Sequence, residues 1–330
     1  MKKILLLAAA LLPLAFASCS ERADRIDVIL DTDANNELDD QHAIAYLLLN
    51  PETFRTLAIT TNVTINGGID AQCEEVGRVA AMLGDYGKDV KIIPGAEAKF
   101  DDIRGCISEP RFDGQEAVDF IIESARAYSP EKKLTVIAIG KLTNIALALL
   151  KAPDIADKIR LVWLGTNYPD GGEHNLVCDI PSSNFVIDTG VQMEWLVCRY
   201  GKSDGTWNVR VPLERVQSDF AGKGPQVKEA VEGRHGGYFQ CFGDYSVDLF
   251  SHIRLGKDHA RSLYDLIAVE VVKDPTLGQT YEIPAPLMSE GPDGEWISRE
   301  DNPRKVTVWH NFNSERCYDE FLDILEKTTP

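Results

Sequence analysis

Basic clusters are missing from this chain. Its 330 residues hold 34 Lys and Arg against 52 Asp and Glu, a formal net charge of −18, with no run of Lys and Arg anywhere. Nucleic acid is thereby excluded as an expected partner, since phosphate backbones need clustered cations. A neutral or cationic small molecule suits the field better. Cysteine is sparse, and the six beyond Cys19 (Cys73, Cys106, Cys178, Cys198, Cys241 and Cys317) form no CxxC pair and no metal-finger spacing. Zinc-finger architectures are excluded by that spacing. Disulfides stay open in an oxidising compartment, with no pairing singled out, and burial as small apolar side chains is the other reading. Internal repeats and low-complexity linkers are absent after residue 25, so one domain is the simpler organisation.

The N-terminus carries the exception to the lack of long apolar runs. Lys2 and Lys3 precede an apolar stretch from Ile4 to Ala17, too short to span a bilayer and suited to the core of a signal peptide. Small residues lead into Cys19, as in a bacterial lipobox, although Phe16 departs from the strictest form of it. The expectation is a lipoprotein-type signal peptide over 1–18, Cys19 as a lipidated mature N-terminus, a short tether over 19–25 and a folded domain over 26–330. The chain would then be exported and held at a bacterial membrane by a lipid anchor alone. Ordinary cleavage without lipid is the alternative.

Within the domain, short apolar runs at 26–30, 56–61, 90–94, 134–139 and 159–164 alternate with amphipathic stretches at 41–49, 71–83, 115–127 and 143–150. Strands and helices alternating at this spacing predict an α/β fold, a mostly parallel central sheet with helices on both faces. Beyond Pro169 the pattern loosens. A strand is expected at 207–212, a helix at 263–272, a hairpin or loop over 282–302, a strand at 306–309 and a closing helix at 315–326.

Four aspartates crowd into the decade Asp31, Asp33, Asp39 and Asp40, directly after the first strand. Like charges this close need a cation, shared protons or open water. Carboxylate oxygens at that density suit calcium or magnesium over zinc or copper. A solvated acidic loop is the bland reading. The position between a strand end and a helix start is where α/β folds bind ligands.

Four segments in order resemble the calcium-dependent, inosine–uridine-preferring nucleoside hydrolases. Asp31, Asp33, Asp39 and Asp40 match the acids of the family's D-x-D-x-G-x-D-D. Residues 139–146 resemble its G-P-L-T-N-[IL]-A segment, 184–188 its F-N-x-x-x-D-P-E turn, and 263–269 with Asp274-Pro275 its late H-D-P-L-A stretch. The resemblance implies a nucleoside hydrolase-like fold and cleavage of an N-ribosidic bond by calcium-activated water. It assigns the metal to Asp33, Asp40, Asp265 and the Ile139 carbonyl, with Asp33 also as general base. Asp39, Asn184, Asn175, Tyr264 and Asn66 (or, for the last, Asn62) are the substrate-binding candidates it implies. A nucleoside or related riboside would be the partner, and a homodimer or homotetramer the assembly.

The departures fall on the substrate side. Two extra residues separate Asp33 from Asp39 and the family's glycine is gone, with Asn35 or Asn36 expected to supply its positive φ. Ser182 stands where the family has a glutamate, and Tyr264 where a histidine often assists the leaving base. His42 could orient an aspartate or simply fill the core. His174 could reach the sugar, and one of His235, Tyr238, His252 and His259 is expected to touch substrate from a lid. Trp163, Trp195 and Trp309 read as core, and Asn144 as a helix cap. Two rival functions stand beside the hydrolase. One is a lipoprotein that binds a sugar or nucleoside without turnover. The other is a haloacid-dehalogenase-type phosphatase with Asp31 as nucleophile and Asp33 as acid/base.

Overall fold

A computed structural model describes residues 25–291 and 294–330. The expected signal peptide and Cys19 lie outside the described residues. Eight strands form the central sheet: β1 (Ile26–Thr32), β2 (Phe54–Thr61), β3 (Ile92–Ile93), β4 (Leu134–Ala138), β5 (Ile159–Thr166), β6 (Gln192–Val197), β7 (Gln279–Pro284) and β8 (Lys305–His310). Their spatial order is β7-β8-β6-β5-β4-β1-β2-β3. Every neighbouring pair is parallel except the edge pair β7–β8. The sheet is thus mostly parallel, as the alternating pattern predicts.

Side chains on successive residues of a strand point to opposite faces, and here each face has its own core. Val28 and Leu30 of β1, with Val162 and Leu164 of β5, join one cluster. Ile29, Leu161 and Trp163 join the other. The first cluster is covered by α1 (Asp39–Leu49), α2 (Ile69–Met82), α6 (Phe242–His252), α7 (Tyr264–Lys273) and α8 (Ser314–Thr328). The second is covered by α3 (Gln115–Ala125), α4 (Thr143–Lys151) and α5 (Ile180–Asp188). Strands sealed on both faces read as near-continuous apolar runs, which is why they were visible in the sequence.

Strand β6 breaks that rule, because a charged residue precedes its apolar run Trp195–Cys198. It carries Glu194 in the sheet, where the carboxylate accepts from Arg160 at 2.7 and 3.0 Å and from Trp309 Nε1 at 2.9 Å. The segment expected as one strand at 207–212 is instead a 3-10 turn at Thr206–Asn208 followed by a three-residue strand, Arg210–Pro212. That strand pairs antiparallel with Ala260–Ser262, outside the main sheet. All six described cysteines are free, and Cys198, Cys241 and Cys317 are buried. Among the described residues no helix is long and apolar enough to cross a membrane.

Candidate active site

Strand β1 delivers its aspartates by alternation. Asp31 turns toward the second core, fully buried, and accepts from Thr60 Oγ1 at 2.6 Å, Asn62 Nδ2 at 2.9 Å and Asn144 Nδ2 at 2.8 Å. Asn144 does not cap α4. It also donates to the Thr61 carbonyl and accepts from the Ala96 backbone N–H, so it ties three strand ends together. Asp33, one step past the strand, accepts from Thr64 Oγ1. Gly140 lies alongside, where a Cβ would fall 2.7 Å from Asn62 and 3.0 Å from Asp33, so the approach requires glycine.

The loop then closes without any residue at positive φ. Asn35 and Asn36 do not substitute for glycine as expected; the two extra residues allow an ordinary turn, with Asn36 N–H donating to the Asp33 carbonyl at 2.8 Å. Asp39 and Asp40 open α1, and Asp265 lies in the first turn of α7. Two helix N-termini therefore aim their partial positive charge at one point. The carboxylates of Asp39, Asp40 and Asp265 lie within 4.8 Å of one another, a metal-sized grouping.

These groups line a cavity of about 260 Å³ with Asp33, Asn36, Glu37, Ile139, Leu164, Glu173, His174, Asn175, Cys198, Tyr200, Trp207, Arg261 and Tyr264. Asp33, Asp39, Asp40 and Asp265 are 1, 5, 2 and 4 % exposed, and among the described residues none of them forms an ion pair with Lys, Arg or His. The nearby Lys141 ammonium is held instead by the Glu97 and Ala98 carbonyls, each at 2.7 Å. Four buried carboxylates, none ion-paired among the described residues, offer hard oxygens that fit a hard divalent cation. The expected ligand set is brought together with one change: Asp39, assigned to the sugar, belongs to the tight trio, whereas Asp33 stands outside it.

Burial raises the carboxyls above their ordinary range. Asp31 and Asp33 are pushed up to about 6 and Asp39 to about 7. Asp40 and Asp265 rise well above the usual value, first through burial and then through the neighbouring aspartate charges.

The substrate-side expectations divide. Asn175 lines the cavity, its Nδ2 held at 2.9 Å by both the Ile139 and Leu164 carbonyls. Tyr264 lines it too, its ring centroid 6.3 Å from Trp207 and 5.9 Å from Tyr200. Asn184 is not brought there: its amide clamps the Met288 backbone, donating and accepting at 2.8 Å. Asn66 also stays outside, donating to Asn36, while Asn62 serves Asp31; Thr64 is the residue of that loop that reaches Asp33. His174 lines the cavity and meets Asn36 at 3.1 Å.

His235, Tyr238, His252 and His259 do not line the cavity. His235 and His252 stack on each other over Asp248. His42 is structural, bonded to the Leu38 carbonyl and Ser246 among four phenylalanines, and burial lowers it to about 4.

Sequence reasoning missed Glu173. It is buried in the cavity, caps the short helix His174–Cys178 by accepting from Leu176 N–H at 2.9 Å, and burial raises it to about 7. It directly follows the loop-like Gly171-Gly172 pair, and glutamate is not a usual N-cap, so nothing in the sequence marked it. Arg261 was missed as well, set in a ribbon too short to show periodicity.

The profile of the inosine-uridine preferring nucleoside hydrolases matches residues 28–319. The chain belongs to that family. Members are enzymes that cleave N-glycosidic bonds. This nucleoside hydrolase is similar to the inosine-uridine preferring nucleoside hydrolase of Crithidia fasciculata, 26% identical over 91% of this chain and 97% of that one. It is also similar to that of Leishmania major, 27% identical over 80% and 84%. In fold it resembles a purine-preferring ribonucleoside hydrolase from Gardnerella vaginalis, with TM-score 0.69 and 23% identity over 92% and 99% of the two chains. A plant nucleoside hydrolase gives TM-score 0.72 at 19% identity over 93% and 100%. The phosphatase alternative falls: its nucleophile would be Asp31, which is buried behind three donors and does not line the cavity.

The raised carboxyls fix a sign for stability. Their folded values lie above the ordinary 3.8, so the contribution of these groups to the stability of the metal-free protein is fully present below about pH 4 and is lost as pH rises through 6–7. Chelator-treated protein should melt progressively lower from pH 5 to pH 8. Asp40→Asn should raise its Tm at pH 8 by roughly 3–6 °C. A melting profile flat with pH, or an unaltered Asp40→Asn, would contradict the clustered-charge description.

Proposed function

We propose that this nucleoside hydrolase is an exported enzyme that hydrolyses the N-ribosidic bond of a nucleoside or related riboside, with calcium as cofactor and Asp33 as general base. What supports it is the convergence of four buried carboxylates, none ion-paired among the described residues, on one small cavity that Ile139 also lines. Asp39, Asp40 and Asp265 would hold the ion, with Asp33 and the Ile139 carbonyl beside them; their hard oxygens match calcium. Calcium held there would supply Lewis acidity that lowers the pKa of the attacking water, and an anchor for sugar hydroxyls.

Asp33 does the proton work. Thr64 donates to its Oδ2 and so fixes the carboxylate, which faces the cavity as a base. Attack at C1′ generates oxocarbenium character on the sugar, and the surrounding negative field of Asp33, Asp39, Asp40, Glu173 and Asp265 favours that developing positive charge. Asn175, braced by two carbonyls, and Glu173 are placed to bind sugar hydroxyls. The flat walls of Tyr264, Trp207 and Tyr200 suit an aromatic base.

Asp33→Ala should lower kcat on any ribonucleoside substrate by at least about 10²–10⁴-fold with the fold retained. Turnover is read as release of free base and reducing sugar in the presence of calcium. Unchanged turnover would contradict the assignment of Asp33, and tight binding of nucleosides with no product from the unsubstituted protein would favour the non-catalytic reading. The location is part of the same proposal, read from the lipobox-like sequence before Cys19: Cys19 would anchor the exported chain through lipid. Cys19→Ala should move the protein from the membrane pellet to the soluble exported fraction; an unaltered distribution would contradict the anchor.

A further inference from the structure

We propose that His235, Asp248 and His252 form a second metal site, one that takes a transition-metal ion of the zinc class and latches the 231–239 hairpin onto α6. The site lies outside the acidic cavity and does not depend on the hydrolase reading.

Two local structures bring the three residues together. Asp248 and His252 are four apart in α6, the spacing that puts side chains on one helical face and serves helical pairs of zinc ligands. His235 comes from the hairpin whose arms, Val231–Glu232 and Tyr238–Phe239, pair antiparallel. Gly233 N–H donates to the Gly237 carbonyl at 3.1 Å, and Gly236 N–H to the Gly233 carbonyl at 3.0 Å. Gly236 and Gly237 sit at φ +85° and +76°, a backbone that glycine alone adopts freely. The tight turn therefore presents His235 to α6 from a fixed position.

The polar edges of both imidazoles converge on one carboxylate. His235 Nδ1 and His252 Nδ1 each lie 3.2 Å from a different Asp248 oxygen. One ligand atom from each residue falls within 4.8 Å of the other two. The rings stack with centroids 4.4 Å apart and planes 26° apart. In a tetrahedral zinc sphere with bonds of about 2.0–2.1 Å, neighbouring ligand atoms stand about 3.3 Å apart. The two nitrogen–oxygen separations already match that edge. What remains is for the two nitrogens to close on each other, by rotation of the His252 ring, which is 49 % exposed.

Charge points the same way. A single carboxylate does not neutralise two stacked imidazolium rings, whereas a divalent ion is matched by one carboxylate and two neutral imidazoles. On binding, each imidazole keeps its proton at Nε2 and gives its Nδ1 lone pair to the ion. His252 thereby gives up the hydrogen bond that Nδ1 makes to the Asp248 carbonyl at 2.9 Å. Nitrogen-rich ligation of this kind suits zinc over calcium, which takes six to eight oxygens. Water completes the sphere from the open side.

The same residues line a hollow of about 180 Å³ with Asn36, Glu37, Arg234 and Arg254. Arg234 is committed elsewhere: its Nη1 donates to the Glu37 carbonyl at 2.9 Å and its Nη2 to the Asn35 carbonyl at 3.1 Å. Arg254 is exposed, so water and salt screen it, and Glu37 offsets it. His235 directly follows Arg234, which clasps the loop leading to Asp39. An ion that pins His235 to α6 therefore holds that clasp as well, without entering the active cavity.

The test is calorimetric titration of zinc, in excess calcium, into the unsubstituted protein and Asp40→Asn, His235→Ala, His252→Ala and Asp248→Asn, with circular dichroism confirming each fold. One zinc per chain should bind, and Asp40→Asn should leave it in place. Each of the other three substitutions should weaken binding by at least about 10–100-fold, the usual cost of disturbing even an outer partner of a metal site. Saturating zinc should raise the Tm of the unsubstituted protein and not of those three. Cobalt in place of zinc should give the ligand-field absorption of a nitrogen–oxygen site with no thiolate charge-transfer band. No binding, binding that Asp40→Asn abolishes, or binding that survives all three substitutions overturns the proposal. So does a thiolate band, which would place the ion on a cysteine.

Discussion

Clustered negative charge held out of water is the constraint on which the rest of the structure depends. Asp33, Asp39, Asp40 and Asp265 are all but sealed from solvent, and none of them is ion-paired among the described residues. Two helix N-termini, a glycine at position 140 and a threonine donor on Asp33 make the arrangement tolerable, but do not neutralise it. The metal-free fold is accordingly destabilised where function needs it ionised. A site that would be more stable without its acids is the usual signature of stability given up for activity.

The same charge organises the wall around it. A field this negative favours a substrate centre that becomes positive, which is what the sugar does at C1′. It disfavours a base that departs as an anion, so the far side of the cavity must be different in kind. There the lining turns to Tyr200, Trp207, Tyr264 and one guanidinium. The two sets meet on α7, where Tyr264 and Asp265 are neighbours: the other acids come from the end of β1 and the start of α1, while Trp207 lies in the turn before the ribbon of 210–212 and 260–262.

How much of this was legible in the sequence follows from which elements are sealed on both faces. Strands such as 26–32 and 134–138 read as apolar runs and were visible, as were the helices packed on them. Strand β6 was not, because Glu194 occupies its centre and its partners Arg160 and Trp309 are remote in sequence. The acids were legible because the first strand, the 139–146 segment and the 263–269 segment follow the family pattern. Asn184 and Asn66 were misplaced: a spacing match cannot reveal that an amide has been diverted to Met288 or to Asn36. Arg261 and Glu37 were invisible for a related reason, being a pair that exists only once an enlarged loop and a two-stranded ribbon meet.

The central claim is that the four carboxylates form one calcium site. Calorimetric titration of calcium into chelator-treated protein, at pH 6 and pH 8 in buffers of different ionisation enthalpy, tests it most directly. The account predicts one ion per chain, binding more tightly at pH 8, with proton release at pH 6 as the raised carboxyls ionise, and loss of binding in Asp40→Asn and Asp265→Asn. No binding, or binding indifferent to pH and to both substitutions, would contradict it.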